Sequence, residues 1–134
     1  CDTSDGFQYV TSGIQSACIL VTSNTMNYDV GKAYCLSLGA HLFVARTEEK
    51  LKLLPPSTRV TIGLTDIAME GVFVWDDTGD TISPSFKMLF FKPTEPNNAN
   101  NNEDCVSTTS KRSNANDVFC HVAFDIVCER PMIG

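Results

Sequence analysis

The sequence predicts an α+β domain, with helices in its first half and short strands through the rest of the chain. Three observations indicate this class. Two early stretches combine helix-capping residues with apolar residues at helical spacing, and five short runs rich in Val, Ile and Phe follow, separated by Gly, Asp, Asn and Pro. Six cysteines in a chain of 134 residues add the prospect of three covalent cross-links.

The first helix is predicted over residues 27–38. Asn27 is a favourable N-cap, Asp29 lies in the first turn, and Gly39 follows as a helix terminator. Cys35 lies inside the helix and can join it to a distant element. The helical spacing places four apolar residues on one face: Val30, Ala33, Tyr34 and Leu38.

A second helix is predicted over residues 47–54. Thr47 can cap it, Glu48 and Glu49 favour its N-terminal end, and two prolines directly after it stop it. The strands are predicted at residues 60–64, 72–75, 105–109, 118–121 and 124–128. Between the second and third of them, residues 76–102 show little regular periodicity, which in a small domain usually marks a functional segment.

Length and composition suit one domain over residues 1–134, because 43% of the residues are apolar and can form a core. The formal charge of −6 disfavours nucleic acid as a partner. Clustered carboxylates suit calcium instead, although the same charge also keeps a small domain soluble. No apolar run reaches the roughly 18 residues of a membrane span. The chain begins at Cys1 without a basic leader, as expected of a processed or excised domain.

The six cysteines predict disulfides and an oxidising, secreted or extracellular location. Six cysteines allow fifteen pairings, so the number alone does not decide the connectivity. A structural zinc site is the competing interpretation. It is disfavoured because the chain has no C-x-x-C pair and because His41 and His121 are far apart in sequence.

The order of motifs along nearly the whole chain resembles the C-type lectin domain, in its long six-cysteine form. No single motif decides this; their order and spacing do. The motifs are Cys1, CIL at 18–20, YCLSLGAHL at 34–42, TIGLTD at 61–66, FVW at 73–75, EPN at 95–97, EDCV at 103–106, ND at 116–117, Cys120 and CE at 128–129.

The resemblance implies a C-type lectin-like fold, in which two helices flank small antiparallel sheets beside a long calcium-binding loop region. It also implies three disulfides: Cys1–Cys18, Cys35–Cys128 and Cys105–Cys120. The second would close most of the chain and contribute about 4–5 kcal/mol in the loop-entropy model. Three tryptophans of the family are replaced here by Thr61, Phe91 and Ala115. These are mainly packing positions, and Ala115 lies beside presumed ligands.

Calcium takes six to eight oxygen ligands from carboxylates, amides and water. The residues that match the family's sugar-binding calcium site are Glu95, Asn97, Glu103, Asn116 and Asp117. The residues that match its auxiliary site are Asp66, Glu70, Asn98, Glu103 and Asp104. Any one of these acids alone would be read as a solvated surface charge, and Asp66 and Glu70 could instead cap a turn before Gly71.

The resemblance further implies a cis peptide bond between Glu95 and Pro96, a feature that occurs mainly before proline. The Glu-Pro-Asn form is that of the family's readers of mannose, fucose and N-acetylglucosamine, whereas a Gln-Pro-Asp form accompanies galactose. Two neighbouring sugar hydroxyls could each accept from an asparagine amide and donate to a glutamate. Val118, one position beyond Asp117, either touches the sugar ring or is a half-buried strand residue.

Three functional hypotheses follow from these residues. The first is a calcium-dependent lectin for glycans with mannose-type terminal sugars, acting in innate or cell-surface recognition, with multivalency supplied by a possible homo-oligomer. The second is a C-type-lectin-like module that binds a protein, with structural calcium or none. The third, an enzyme that uses paired carboxylates, is disfavoured because asparagines interleave the acids and suit coordination better than proton transfer.

Overall fold

The structure is a computed structural model that describes residues 1–22, 24–96 and 103–132. This part of the chain contains eight β-strands, three α-helices and a short 3-10 turn at Ser4–Gly6. In chain order the elements are β1 (Gln8–Ser12), β2 (Gln15–Val21), α1 (Tyr28–Ser37), β3 (His41–Leu42), α2 (Glu48–Leu51), β4 (Val60–Thr65), β5 (Val74–Trp75), α3 (Pro84–Phe90), β6 (Cys105–Thr108), β7 (Asn116–Val118) and β8 (Asp125–Arg130).

The strands form one mixed sheet, which confirms the predicted α+β class. The strand order is β1-β2-β8-β4-β6-β7, with β3 added to β8 and β5 added to β4. Strands β4 and β8 run parallel, and the other pairs are antiparallel. The sheet is therefore mixed, whereas small antiparallel sheets are expected from the resemblance. The parallel pair joins the N-terminal half of the sheet to the half that carries the candidate site.

The sequence does not predict the hairpin of β1 and β2, nor the short strand β3. Most residues of β1 are exposed, and the buried residues of β2 are consecutive (Ala17, Cys18 and Ile19). Neither strand therefore shows the alternation of apolar and polar residues that marks a half-buried strand. The hairpin turns at Gly13, whose φ of +60° favours glycine.

The N-cap predicted for the first helix is confirmed, since the Asn27 side chain accepts a hydrogen bond from the Val30 N–H at 2.9 Å. The apolar face predicted for it does not face the core. Three of its four residues are exposed: Val30, Ala33 and Tyr34. The buried residues are instead Tyr28, Gly31 and Cys35. Spacing alone misses this face because a glycine and a cysteine contribute little to a hydrophobic pattern.

Several predicted boundaries are wrong by a few residues. Helix α2 has four residues, because the N–H groups of Leu53 and Leu54 bond three residues back and tighten the chain before the prolines. Strand β5 begins at Val74, two residues later than predicted. Strand β7 ends at Val118, where a strand is predicted to begin. The chain turns there, with the Val122 N–H donating to the Phe119 carbonyl at 3.1 Å.

Helix α3 lies in the span for which no regular structure is predicted. Ser83 caps it by accepting from the Phe86 N–H at 3.2 Å, and Pro84 occupies its first turn. Phe86 and Phe90 are its buried residues and Leu89 packs partly buried against the same core, and so few apolar positions in seven residues leave too short a pattern to detect. None of the helices in the described part of the chain has the length and apolar character that a membrane crossing requires.

An aromatic cluster fills the core around the positions where the family's tryptophans are replaced. Phe91 packs against Phe73 with ring centroids 5.5 Å apart, and against Phe90 at the same separation. Ala115 is completely buried in this core cluster, and a β-bridge joins it to Phe91. Thr61 is buried within β4. The phenylalanines therefore occupy the core around Ala115, where a large side chain is missing.

The three disulfides have the predicted connectivity: Cys1–Cys18, Cys35–Cys128 and Cys105–Cys120. The second joins α1 to β8 across a sequence separation of 93 residues. Its half-cystines are completely buried, beside Ile126 and Leu42 in a second core cluster. The third closes a 15-residue separation between the beginning of β6 and the turn after β7.

The close approach of α1 to β8 makes Gly31→Ala a test of the buried helix face. A Cβ on Gly31 would lie 2.5 Å from Cδ1 of Ile126. We expect the free energy of unfolding to fall by about 1–3 kcal/mol, because overpacking outweighs the better helix propensity of alanine. Val30→Ala, at an exposed position, should stay within about 0.5 kcal/mol of the parent. Urea denaturation without reductant measures both, and a larger loss in Val30→Ala would contradict the assigned face.

Candidate metal and carbohydrate site

Three acidic side chains converge where β4 ends and β6 begins. They are Asp66, Glu70 and Asp104, and one carboxylate oxygen of each lies within 4.8 Å of the other two. Two oxygens that bind the same calcium ion can be up to about 5 Å apart, because each Ca–O distance is about 2.3–2.6 Å. One ion could therefore contact all three carboxylates. All three belong to the predicted auxiliary set.

The sheet ladder holds two of these acids together. Thr65 pairs with Cys105 at the end of the β4–β6 ladder, and the Asp66 N–H then donates to the Asp104 carbonyl at 3.0 Å. The following loop folds back, so that the Gly71 N–H donates to Oδ2 of Asp66 at 2.8 Å. Gly71 is absent from the predicted ligand set, yet it orients Asp66. In the sequence, the signal of this interaction is a glycine shortly after an acid. The φ of +82° at Gly71 explains why glycine is favoured there.

The carboxylate cluster is electrostatically unfavourable without a cation. Burial raises the pKa of Asp66, and the neighbouring Glu70 raises it further. Burial also raises the pKa of Asp104, followed by the effect of Asp66. Among the described residues, Oδ1 of Asp66 and Oδ1 of Asp104 are buried and find no hydrogen-bond partner. Buried carboxylate oxygens in this state are what a hard cation such as calcium would satisfy.

The segments that carry the predicted sugar-site ligands are joined by hydrogen bonds. The Lys92 N–H donates to the Ala115 carbonyl at 3.0 Å, and the Glu95 N–H donates to the Lys92 carbonyl at 2.9 Å. Asn116 and Asp117 follow Ala115 as the first two residues of β7. The structure therefore brings the segment of Glu95 to the beginning of β7, although the two are about 20 positions apart in the chain.

The described residues of the predicted sugar-site set are buried or half-buried. Asp117 is only 2% exposed, and Glu95 and Glu103 are half-buried, all three engaged in contacts with other groups. Oδ1 of Asn116 is buried and has no hydrogen-bond partner among the described residues. After burial and Asp66, the charge of Asp117 is a further cause of the raised pKa of Asp104. Of the predicted sugar-site residues, Asp117 is therefore near enough to influence the auxiliary cluster.

The remaining predicted residues have mixed outcomes. The cis peptide bond between Glu95 and Pro96 is present as predicted. Val118 is half-buried, pairs with Cys105 across the β6–β7 ladder and packs against the second core cluster. Asn97 and Asn98 lie outside the described residues. The ligand roles of all these residues remain predictions.

Comparison with known proteins connects this geometry with a family. Residues 24–130 match the model of the lectin C-type domain. The chain belongs to the C-type lectin domain family. C-type lectin domain family 4 member E of Mus musculus is 35% identical over 128 residues, which cover 90% of this chain and 58% of that protein. The chain spans little more than half the length of this relative and of two others, and between a quarter and a third of the length of several more.

Solved structures confirm the C-type lectin-like fold. The Kupffer cell C-type lectin receptor Clec4f, described as trimeric, superposes with a TM-score of 0.78 at 25% identity, covering 95% of this chain and 85% of that chain. The C-type carbohydrate-recognition domain of cow CD23 superposes with a TM-score of 0.79 at 24% identity, covering 97% and 96% of the two chains. Domains of this family bind carbohydrates without catalysing a reaction, and some members bind other ligands.

The substitution Asp66→Asn tests two properties of the cluster: the destabilisation caused by its like charges and its ability to bind a metal ion. In EDTA at neutral pH we expect the variant to be more stable against unfolding than the parent. The amide keeps an acceptor for Gly71 and removes a charge that burial disfavours. A raised pKa penalises the ionised form, so this difference should vanish below the ordinary aspartate pKa of 3.8, where the acid is protonated in both states.

The same variant should lose the part of the stabilisation by calcium that the auxiliary site supplies, whereas the sugar-site residues should keep theirs. With a dissociation constant of roughly 0.1–1 mM, each occupied site should stabilise the parent by about 1.4–2.7 kcal/mol at about 10 mM calcium. Thermal unfolding with calcium and with EDTA measures this stabilisation in the parent and in the variant. Glu49→Gln, which removes an exposed charge from α2, is the control and should respond to calcium as the parent does. An undiminished response in Asp66→Asn would exclude the cluster as the stabilising site.

Proposed function

We propose that this domain is a calcium-dependent lectin that binds mannose-type sugars, the group that includes mannose, fucose and N-acetylglucosamine. One observation carries the proposal: in the carboxylate cluster of Asp66, Glu70 and Asp104, one buried oxygen each of Asp66 and Asp104 has no hydrogen-bond partner among the described residues. The Glu95-Pro96-Asn97 order supports the mannose-type preference. Sugar binding and calcium binding therefore depend on one region of the sheet edge.

The proposed ligands form two sets that share one residue. The first set consists of Glu95, Asn97, Glu103, Asn116 and Asp117. The second set consists of Asp66, Glu70, Asn98, Glu103 and Asp104. Calcium held by the first set would supply open coordination positions that sugar hydroxyls can fill. Asn98 contributes an uncharged amide where a carboxylate would bind more strongly, so the second set should bind calcium less tightly.

The side chains of the first set determine which sugar fits. Glu95 and Glu103 can only accept hydrogen bonds when ionised, whereas the amides of Asn97 and Asn116 can donate. Each of two neighbouring hydroxyls can then donate to a carboxylate and accept from an amide. Two adjacent equatorial hydroxyls satisfy this alternation. The order of donors and acceptors therefore favours mannose-type over galactose-type sugars.

A single site of this kind binds weakly. Two hydroxyl contacts give a dissociation constant near millimolar, or about −4 kcal/mol. Useful affinity for a glycan-covered surface then requires several sites presented together. The trimeric state described for Clec4f, which is 25% identical to this chain, supports a homo-oligomer as the means. The three disulfides support an extracellular location, where microbial or cellular glycans are the partners.

The alternative, a protein-binding module with structural calcium or none, has less support in the core. Its main argument is the replacement of three family tryptophans. Thr61, Phe91 and Ala115 are all buried, and the neighbouring phenylalanine rings pack the same cluster. The replacements therefore change the packing without exposing a new apolar surface at these positions.

Retention on mannan-agarose tests calcium-dependent binding. We expect the domain to be retained in millimolar calcium and released by EDTA. Glu103→Gln should reduce retention at least about tenfold, because Glu103 belongs to both ligand sets and loses a charge. Glu49→Gln, with the same chemical change at an exposed position, should be retained like the parent. Passage of the parent through the column in both buffers would contradict the proposal.

The sugar preference can be tested by exchanging donor and acceptor. In Glu95→Gln combined with Asn97→Asp, an acceptor becomes a donor and a donor becomes an acceptor. We expect mannose binding to fall and galactose binding to rise, measured by competition of each monosaccharide for an immobilised glycan in calcium. Thermal unfolding with calcium serves as the control, because the net charge is unchanged. An unaltered preference would show that the sugar binds elsewhere.

A further inference from the structure

A cleft of about 550 Å³ lies at the end of β6 opposite to the carboxylate cluster. Asp104 precedes β6, whereas the cleft is lined by the loop that follows it and by the turn after α2. Three cationic side chains line this cleft: Lys52 from the turn, and Lys111 and Arg112 from the loop. The domain has a net charge of −6, so this concentration of positive charge is unusual for its surface.

The cations of the cleft are not used by the fold. Four of the ten Lys and Arg residues have no ion pair, ring contact or side-chain hydrogen bond in the part of the chain that the structure describes: Lys52, Lys92, Lys111 and Arg112. Three of these four line the same cleft. Six other cations form salt bridges, bind backbone carbonyls or lie over aromatic rings. The cleft therefore concentrates the basic groups that are available to a ligand.

The loop that carries Lys111 and Arg112 is held at both ends. The Arg59 guanidinium donates to the Ser107 carbonyl at 3.2 Å and to the Asn114 carbonyl at 2.9 Å. Within the loop, the Asn114 amide donates to the Thr109 hydroxyl at 2.8 Å. These bonds fix the backbone between β6 and β7, so an incoming ligand need not order it.

The rest of the lining indicates what kind of ligand fits. Glu48 and Ser110 offer a carboxylate and a hydroxyl that can bond sugar hydroxyls, while Leu54 and Pro56 supply apolar surface. A bare inorganic anion would use only the cations, and Glu48 would repel it. A saccharide that carries sulfate or phosphate esters matches every part of the lining, because Arg and Lys bind such oxyanions with charge-assisted hydrogen bonds.

We propose that the cleft between α2 and the β6–β7 loop binds saccharides bearing sulfate or phosphate esters, and that this binding does not require calcium. The cleft shares no residue with either proposed ligand set for calcium. The proposal is therefore independent of the proposed lectin function, and its test is carried out in EDTA. The two ends of β6 would then carry two binding surfaces, one for neutral sugars and one for charged ones.

Calorimetric titration of the whole chain in EDTA tests this. The probes are a heparin-derived tetrasaccharide, its desulfated counterpart, a phosphorylated mannose oligosaccharide, and polyglutamate as an acidic polypeptide. We expect the sulfated probe, the phosphorylated probe or both to bind, and the desulfated one not to bind. The sulfated and phosphorylated arms identify which ester the cleft prefers.

Two variants with the same net charge separate the cleft from the overall charge. Lys111→Gln combined with Arg112→Gln should weaken binding at least about tenfold. Lys32→Gln combined with Lys87→Gln removes two charges outside the cleft and should change the affinity less than about twofold. Thermal unfolding in EDTA checks that both variants are folded.

Four results would overturn the proposal. They are absence of binding by the parent to both charged probes, equal weakening in the two variants, equal binding of the desulfated probe, and equally tight binding of polyglutamate. The second result would indicate diffuse attraction, and the last would indicate an acidic protein as the partner. None of these results bears on whether the domain is retained on mannan in calcium. The two proposals can therefore fail separately.

Discussion

The position of β6 is the constraint on which the rest of the site depends. On one side its first residue pairs with β4, and this pairing places Asp104 against Asp66. On the other side it pairs with β7, which carries Asn116 and Asp117. The Cys105–Cys120 disulfide ties the same position to the turn beyond β7. Because one short strand sets all these neighbours, the acids meet without any long side chain having to reach across the sheet.

This arrangement places like charges together in a buried setting. Burial and neighbouring carboxylates raise the pKa of Asp66 and Asp104, so the folded chain by itself disfavours their ionised forms. A core would not gain stability from such a group of acids. The arrangement is understandable if a cation completes it, and the free energy of cation binding then also stabilises the fold. Binding and stability are coupled in the proposed lectin for this reason.

The two halves of the core are built differently around this strand. One contains the aromatic cluster of Phe73, Trp75, Phe86, Phe90 and Phe91, which fills the space around Ala115. The other is smaller and includes the Cys35–Cys128 disulfide, with α1 brought close to β8 at Gly31. Strand β6 contributes Cys105 to one of these clusters and Val106 to the other. The acidic cluster lies at one end and the basic cleft at the other.

The sequence by itself determined the cap at Asn27, and its motifs identified the family, whose resemblance implied the disulfide pairing and the residues of the carboxylate cluster. These are local or motif-borne properties, readable from residue type and order. Other features depended on the tertiary structure. The buried face of α1 includes a glycine and a cysteine, which the spacing of strongly apolar residues does not reveal. Helix α3 has few apolar core positions. The parallel pairing of β4 with β8 joins distant segments, and so does the basic cleft, which is lined from α2 to Pro56 on one side and by the β6–β7 loop on the other. Only the folded chain decides such features, because they depend on which surfaces meet, whereas sequence patterns report each segment separately.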